Sequence, residues 1–184
     1  MAQVILVTGG SRSGKSAYAQ KIAEALPGPR AFVATCPMVD DEMRERIRKH
    51  QLERQAANWK TLEETVDLTG ALRGARESFK VVLVDCLSLW INNLMYEAQV
   101  DGRDITEDDI AHRCRELLDV CDELSGTVIF VTNEVGMGIV PDNPASRLYR
   151  DLAGRCNQIM AAGADTVTLV SCGLPLHLKQ GDRS

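Results

Sequence analysis

Gly9-Gly10-Ser11-Arg12-Ser13-Gly14-Lys15-Ser16 is the stretch of this chain with the plainest chemistry. It fits the pattern G-x-x-x-x-G-K-[ST]. Glycines permit a tight loop in which successive backbone N–H groups point inward around a phosphate. The residues that follow open a helix, and its N-terminus adds partial positive charge. Lys15 can then reach the β- and γ-phosphates, and the Ser16 hydroxyl can sit on Mg²⁺. Val4-Ile5-Leu6-Val7, just before the loop, is a short apolar run suited to a strand buried on both faces. Strand, loop and helix signals in that order favour a nucleotide-phosphate site over a plain glycine-rich turn.

Two further groups have reactive potential. Lys80-Val81-Val82-Leu83-Val84-Asp85 is a second buried strand closed by an acid. With a phosphate loop upstream, that acid reads as a carboxylate near Mg²⁺ rather than a cap of the next helix. The other is His50, with Arg46 and Arg54 four residues to either side on one helical face. Like charge discourages protonation, and a neutral imidazole keeps the lone pair of a nucleophile. The arginines could also hold phosphate oxygens through paired hydrogen bonds. Spacing alone leaves His50 open between a surface histidine and a covalent role.

The rest of the chain supplies elements to carry these groups. Helical spacing runs from Ala17 to Leu26 and stops at Pro27-Gly28-Pro29. Ala31 to Thr35 reads as a second strand, expected beside the first and parallel to it, with the helix as crossover. Its end, Thr35-Cys36-Pro37, falls on the sheet edge where ligands bind in such folds. Asp40 to Arg54 reads as a charged helix, Trp59 to Glu64 as a turn or short strand, and Val66 to Arg76 as a weak amphipathic helix. Leu87 to Ala98 looks like a buried helix, with Asn92-Asn93 unexplained inside it, and its Leu87 to Leu94 portion fits core or subunit contact. Thr106 with Asp109 resembles a capping box for a helix to about Leu124, on which His112 faces solvent. Thr127 to Thr132 is another strand, and Asn133-Glu134-Val135-Gly136-Met137-Gly138-Ile139-Val140-Pro141 after it reads as a mobile segment at the same sheet edge as the phosphate loop. A long helix over 143–162 carries Arg147, Arg150, Arg155 and Asn157. A strand over 165–171 and a short piece over 174–179 complete the chain, and 180–184 reads as a disordered tail. The alternation predicts a single α/β domain, P-loop NTPase-like, with a largely parallel central sheet and helices on both faces.

Bulk properties exclude several classes. The 184 residues are 45% hydrophobic and 26% charged, as expected of a globular protein with a real core. A net charge of −5 argues against nucleic acid held by general electrostatics. Six cysteines without C-x-x-C spacing suggest neither a zinc site nor a disulfide framework, and Cys36, Cys86 and Cys172 read as buried free thiols. No apolar run is long enough for stable membrane insertion, and the composition reads as cytoplasmic.

Three segments together resemble the bifunctional adenosylcobinamide kinase / adenosylcobinamide-phosphate guanylyltransferase family of cobalamin biosynthesis. They are ILVTGGSRSGKS, the DDEM…RIRKHQLER run, and VTNEVGMGIVP with RDLAGRCNQ. The resemblance implies two reactions. A nucleoside triphosphate phosphorylates the aminopropanol hydroxyl of adenosylcobinamide, and GTP then donates GMP to adenosylcobinamide phosphate through a guanylylated histidine. It puts that histidine at His50 and gives Lys15 a catalytic role. It also implies that Gly9, Gly10, Ser11, Arg12, Ser13, Gly14, Lys15 and Ser16 hold the triphosphate. Ala34, Thr35, Cys36, Gln51, Leu52, Glu53, Arg54, Glu63 and Asp85 then stand as guanine-nucleotide contacts. Ser16 and Asp85 are the expected Mg²⁺ residues, GTP and ATP the nucleotides, and a homotrimer the expected assembly. The alternatives are a small-molecule P-loop kinase with no guanylyl transfer, and a GTP-binding regulatory protein.

Overall fold

A computed structural model of the chain describes residues 1–37 and 58–181. His50, its flanking Arg46, and the expected contacts Gln51, Leu52, Glu53 and Arg54 lie outside the described residues, as do 182–184 of the expected tail. The described strands are β1 (Gln3–Thr8), β2 (Arg30–Ala34), β3 (Trp59–Glu63), β4 (Val81–Asp85), β5 (Thr127–Val131), β6 (Thr166–Ser171) and β7 (Leu174–Lys179). The described helices are α1 (Lys15–Ala25), α2 (Leu68–Ala75), α3 (Leu87–Val100), α4 (Glu107–Glu123) and α5 (Pro144–Gly163).

All seven strands form one sheet in the order β3-β2-β4-β5-β1-β6-β7, parallel except for the antiparallel edge strand β7. This corrects one expectation. β2 does not lie beside β1; it pairs with β3 and β4, and two strands separate it from β1. The central runs are apolar on both faces and interchangeable as ladder partners, so local pattern cannot choose between neighbours.

Alternate residues of each strand serve opposite cores. Val4, Leu6, Val82, Val84, Val128 and Phe130 pack under helices α2 to α5. Ile5, Val7, Leu83, Ile129 and Val131 face Ala19 and Ala23 of α1. Helices therefore cover both faces, as the alternating pattern predicts. The Leu87–Leu94 segment joins the first core, and Trp90 buries its ring there while its Nε1–H donates to Val66 O at 2.7 Å. Among the described residues no helix is long and apolar enough to cross a membrane.

Local signals hold at the helix ends. The Thr106 hydroxyl accepts from the Asp109 amide, and Asp109 accepts in return from the Thr106 amide at 2.8 Å, a reciprocal capping box on α4. The Thr106 hydroxyl donating to the Asp109 carboxylate at 2.7 Å, and then the Thr106 amide, hold the Asp109 carboxyl below its ordinary value. Thr106→Ala is expected to destabilise the fold by about 1 kcal/mol, read as a lower urea midpoint at unchanged slope. His112 is exposed, as expected, with its Nε2 3.5 Å from Glu116.

The thiols divide differently from the sequence expectation. Cys86 is buried and Cys36 half-buried, whereas Cys172 is exposed on the turn between β6 and β7 at φ 53°. The apolar run of β6 ends before it, and the turn puts its side chain in solvent. Burial, reinforced by Asp122, pushes the Cys121 thiol up to about 12. A raised value keeps the thiol protonated and unreactive at pH 8. In native protein at that pH, a thiol reagent is therefore expected to modify Cys172 rapidly and to reach Cys121 only on unfolding.

Candidate functional site: a phosphate loop at the C-terminal edge of the sheet

The loop from Gly9 to Ser16 links the end of β1 to the start of α1. Gly14, at φ 94°, is the N-cap, and no side chain caps the helix, so its first N–H groups are left for a ligand. A Cβ at Gly9 would run into the Val170 carbonyl, and one at Gly14 would lie 3.3 Å from Gly173 Cα. Only glycine allows the loop to pack this close to the β6–β7 turn, whose Gly173 amide donates to Ser13 O at 2.8 Å. Lys15 is buried, and its Nζ donates to Gly10 O at 3.2 Å, folding the ammonium over the loop. The buried Ser13 Oγ has no hydrogen-bond partner among the described residues. An orphaned hydroxyl inside a glycine loop beside a lysine fits an anion. Ser11 to Ala17 line a hollow of about 580 Å³, with Ser16 and Arg12 exposed at its rim.

Register places the other expected residues. Ala34 pairs with Glu63 on one side and Asp85 on the other, Asp85 pairs with Val131, and Val131 with Val7. Glu63, Ala34 and Asp85 therefore stand in one row across neighbouring strands, and the row ends at the strand that feeds the phosphate loop. From Glu63 to Val7 is four strand spacings, about 19 Å. Asp85 is half-buried and remains the last residue of β4, while Cys86 is the N-cap of α3. Glu63 is exposed at the end of β3.

Thr35 is fully buried. Its Oγ1 donates to Cys86 O at 2.9 Å and accepts from Cys86 N at 2.7 Å, which turns the side chain into the fold. Half-buried Cys36 follows it. The unexplained pair Asn92-Asn93 now divides. Asn92 is exposed, whereas Asn93 is buried and its Nδ2 donates to Thr35 O and Thr65 O, both at 2.9 Å. Asn93 thereby ties the loops after β2 and β3 together.

Sequence reasoning missed a second polar set at the same edge. Ser88 Oγ, buried in the first turn of α3, accepts from Asn133 N at 3.2 Å and from Asn133 Nδ2 at 2.8 Å. Asn157 Nδ2 donates to Asn133 O at 3.1 Å, and its Oδ1 accepts from Thr132 Oγ1 at 2.7 Å. Glu134 N donates to Gly9 O at 3.0 Å. Arg150 donates to Gly136 O at 2.9 Å and Arg147 to Pro141 O at 3.0 Å, holding the segment after β5 against α5. The only sequence signal was Asn-Glu directly after a buried strand. The edge also perturbs titration: burial first, then Asp85, pushes the Cys86 thiol up, and burial pushes the Tyr149 hydroxyl up.

A parallel sheet with a glycine loop after its β1 strand and an acid closing another strand defines a P-loop-type α/β nucleotide-binding protein. Its fold is similar to the KaiC-like protein PH0186 from the archaeon Pyrococcus horikoshii OT3, at TM-score 0.51 and 18% identity over 91% of this chain and 71% of that one. Residues 5–178 match the cobinamide kinase / cobinamide phosphate guanyltransferase family, and the chain belongs to it. It is 39% identical over 178 residues to the bifunctional adenosylcobalamin biosynthesis protein CobP of Pseudomonas aeruginosa, covering 95% of this chain and 96% of that protein. Against the bifunctional protein CobU of Escherichia coli the identity is 38% over 185 residues, covering 96% and 99%.

Proposed function

We propose that this chain phosphorylates the aminopropanol hydroxyl of adenosylcobinamide and then transfers GMP from GTP to the resulting phosphate. In the first half-reaction the hydroxyl oxygen attacks the γ-phosphorus of ATP or GTP, and the nucleoside diphosphate leaves. In the second, His50 attacks the α-phosphorus of GTP and pyrophosphate leaves. The phosphate of adenosylcobinamide phosphate then attacks the same phosphorus, the P–N bond breaks, and adenosyl-GDP-cobinamide is released. Splitting one transfer into two is the advantage of a covalent nucleophile. Arg46 and Arg54 stabilise charge developing on the transferred group.

The observation that carries this reading is the glycine loop with buried Lys15 and the orphaned Ser13 hydroxyl. Gly9 to Ser16 hold the triphosphate, and Ala34, Glu63 and Asp85, which stand in one row across neighbouring strands, contact the rest of the nucleotide. Gln51 to Arg54 and the backbone at Thr35 and Cys36 complete the guanine-nucleotide contacts. Ser16 and Asp85 would hold Mg²⁺, which offsets the negative charge of the phosphates when bound. A Ser hydroxyl and one carboxylate suit this ion, which keeps several waters and relies on substrate phosphates.

In this reading the whole chain is a single kinase/guanylyltransferase domain that works in the cytoplasm as a homotrimer. Exposed Met137, Ile139 and Val140 on the segment after β5 support an assembly that covers apolar surface. The test is product analysis with the full chain. Adenosylcobinamide with ATP or GTP should give the phosphorylated corrinoid, and adenosylcobinamide phosphate with GTP should release pyrophosphate. GTP hydrolysis indifferent to the corrinoid would overturn the proposal in favour of a regulatory protein.

A further inference from the structure

The phosphorylation step needs an acceptor for the proton of the attacking hydroxyl. Among the described residues, Glu63, Glu64, Asp67, Asp85 and Glu134 are the carboxylates nearest in sequence to the strand ends at this edge of the sheet. Glu64 is taken up by the amides of Val66 and Asp67 at 2.8 and 2.9 Å. Asp67 caps α2, accepting from Gly70 N and Thr69 Oγ1, both at 2.8 Å. Asp85 stands at the proposed Mg²⁺ position. Glu63 ends the far edge strand, four strands from the strand that feeds the phosphate loop.

Glu134 differs from all of these. It is half-buried, and its carboxylate makes no hydrogen bond or ion pair among the described residues, while Arg147 and Arg150 are turned to backbone carbonyls. A half-buried carboxylate without a partner is not accounted for by the hydrogen bonding of the fold. Its backbone is nevertheless fixed. The Glu134 amide is bonded to Gly9, the first glycine of the phosphate loop. The preceding Asn133 is held on three sides, through its N–H and Nδ2–H by Ser88 and through its carbonyl by Asn157. Ser88 itself sits three residues after Asp85. A carboxylate with no partner among the described residues is thus carried on backbone pinned to the phosphate loop and to the first turn of α3 together.

We propose that Glu134 is the catalytic base of the phosphoryl-transfer half-reaction, with Ser88 and Asn157 as its positioning residues. The hydroxyl oxygen forms its bond to the γ-phosphorus, the bond from that phosphorus to the β–γ bridging oxygen breaks, and the diphosphate leaves with that electron pair. The hydroxyl proton passes to the Glu134 carboxylate and from there to solvent. This inference rests on the kinase reading above.

The experiment is steady-state phosphorylation of adenosylcobinamide by ATP with the full chain, beside equilibrium nucleotide binding. Glu134→Gln is expected to lower kcat about 100-fold or more, the usual share of a positioned base, while the nucleotide affinity stays within about threefold. Added formate should restore part of the rate to Glu134→Ala, because a small carboxylate can occupy the vacated place. Ser88→Ala should lower kcat about tenfold with little change in nucleotide KM, as expected of misplacement rather than lost binding. Glu134→Gln at wild-type kcat, or a rate loss that simply follows lost nucleotide affinity, overturns the inference alone. An unaltered protein that phosphorylates no cobinamide overturns the kinase reading itself, and that result is read before any variant is made.

Discussion

His50→Ala is expected to abolish the acid-labile, alkali-stable label that α-labelled GTP leaves on the protein. The label is the phosphoramidate of the second half-reaction, and its chemistry follows from the P–N bond. Removing a covalent nucleophile costs on the order of 10⁶ in turnover where it has been isolated, so guanylyl transfer should fall by at least about 10⁴. Phosphorylation of adenosylcobinamide should fall far less, because its bond-making atoms are the substrate hydroxyl and the γ-phosphorus. That asymmetry separates a bifunctional enzyme from a P-loop kinase with a surface histidine. A variant that labels as well as the unaltered protein removes the covalent step. His50 lies outside the described residues, so the result bears on the sequence reading directly.

Lys15→Ala is the second large effect, and it should strike both half-reactions. Lys15 is only 9% exposed, and its ammonium is folded back onto Gly10 O at 3.2 Å, inside the loop that would surround the triphosphate. A preorganised cation in a water-poor site acts on charge that develops during transfer and needs little rearrangement to do so. Losing one such donor costs about 10²–10³ in rate, or about 3–4 kcal/mol of transition-state stabilisation. Lys15→Arg should not restore it, because the planar, bulkier guanidinium does not replace a compact point charge at a buried site. The unfolding midpoint should change little, since the lysine, the first residue of α1, lies outside both apolar cores. Unaltered rates in both assays would contradict the phosphate-cradle assignment.

The phosphate loop behind the second effect was legible without coordinates because it depends on neighbours in sequence, whereas the covalent role of His50 came from the family resemblance. The loop from Gly9 to Ser16 is local: its glycines, its lysine and the helix it opens are contiguous, and the fold adds only the close approach of Val170 and Gly173. Asp85 could likewise be read as the end of a buried strand. The thiols were less readable. Cys172 follows an apolar run much as Cys86 does, yet the β6–β7 turn exposes one and the α3 packing buries the other.

The amino-acid sequence by itself determined the strand, glycine loop and helix from Val4 to Leu26, the acid that closes β4, the capping box of α4, and membership of a kinase and guanylyltransferase family. Each is written in adjacent residues or in spacings of three or four. Only the tertiary structure decided that two strands stand between β1 and β2, that Asn93 and Ser88 brace the loops at the sheet edge, and that Glu134 is tied to Gly9. The physical reason is that apolar strands buried on both faces are equivalent as ladder partners. Their order, and the side chains meeting at their ends, is therefore settled by how crossover helices pack over the whole sheet.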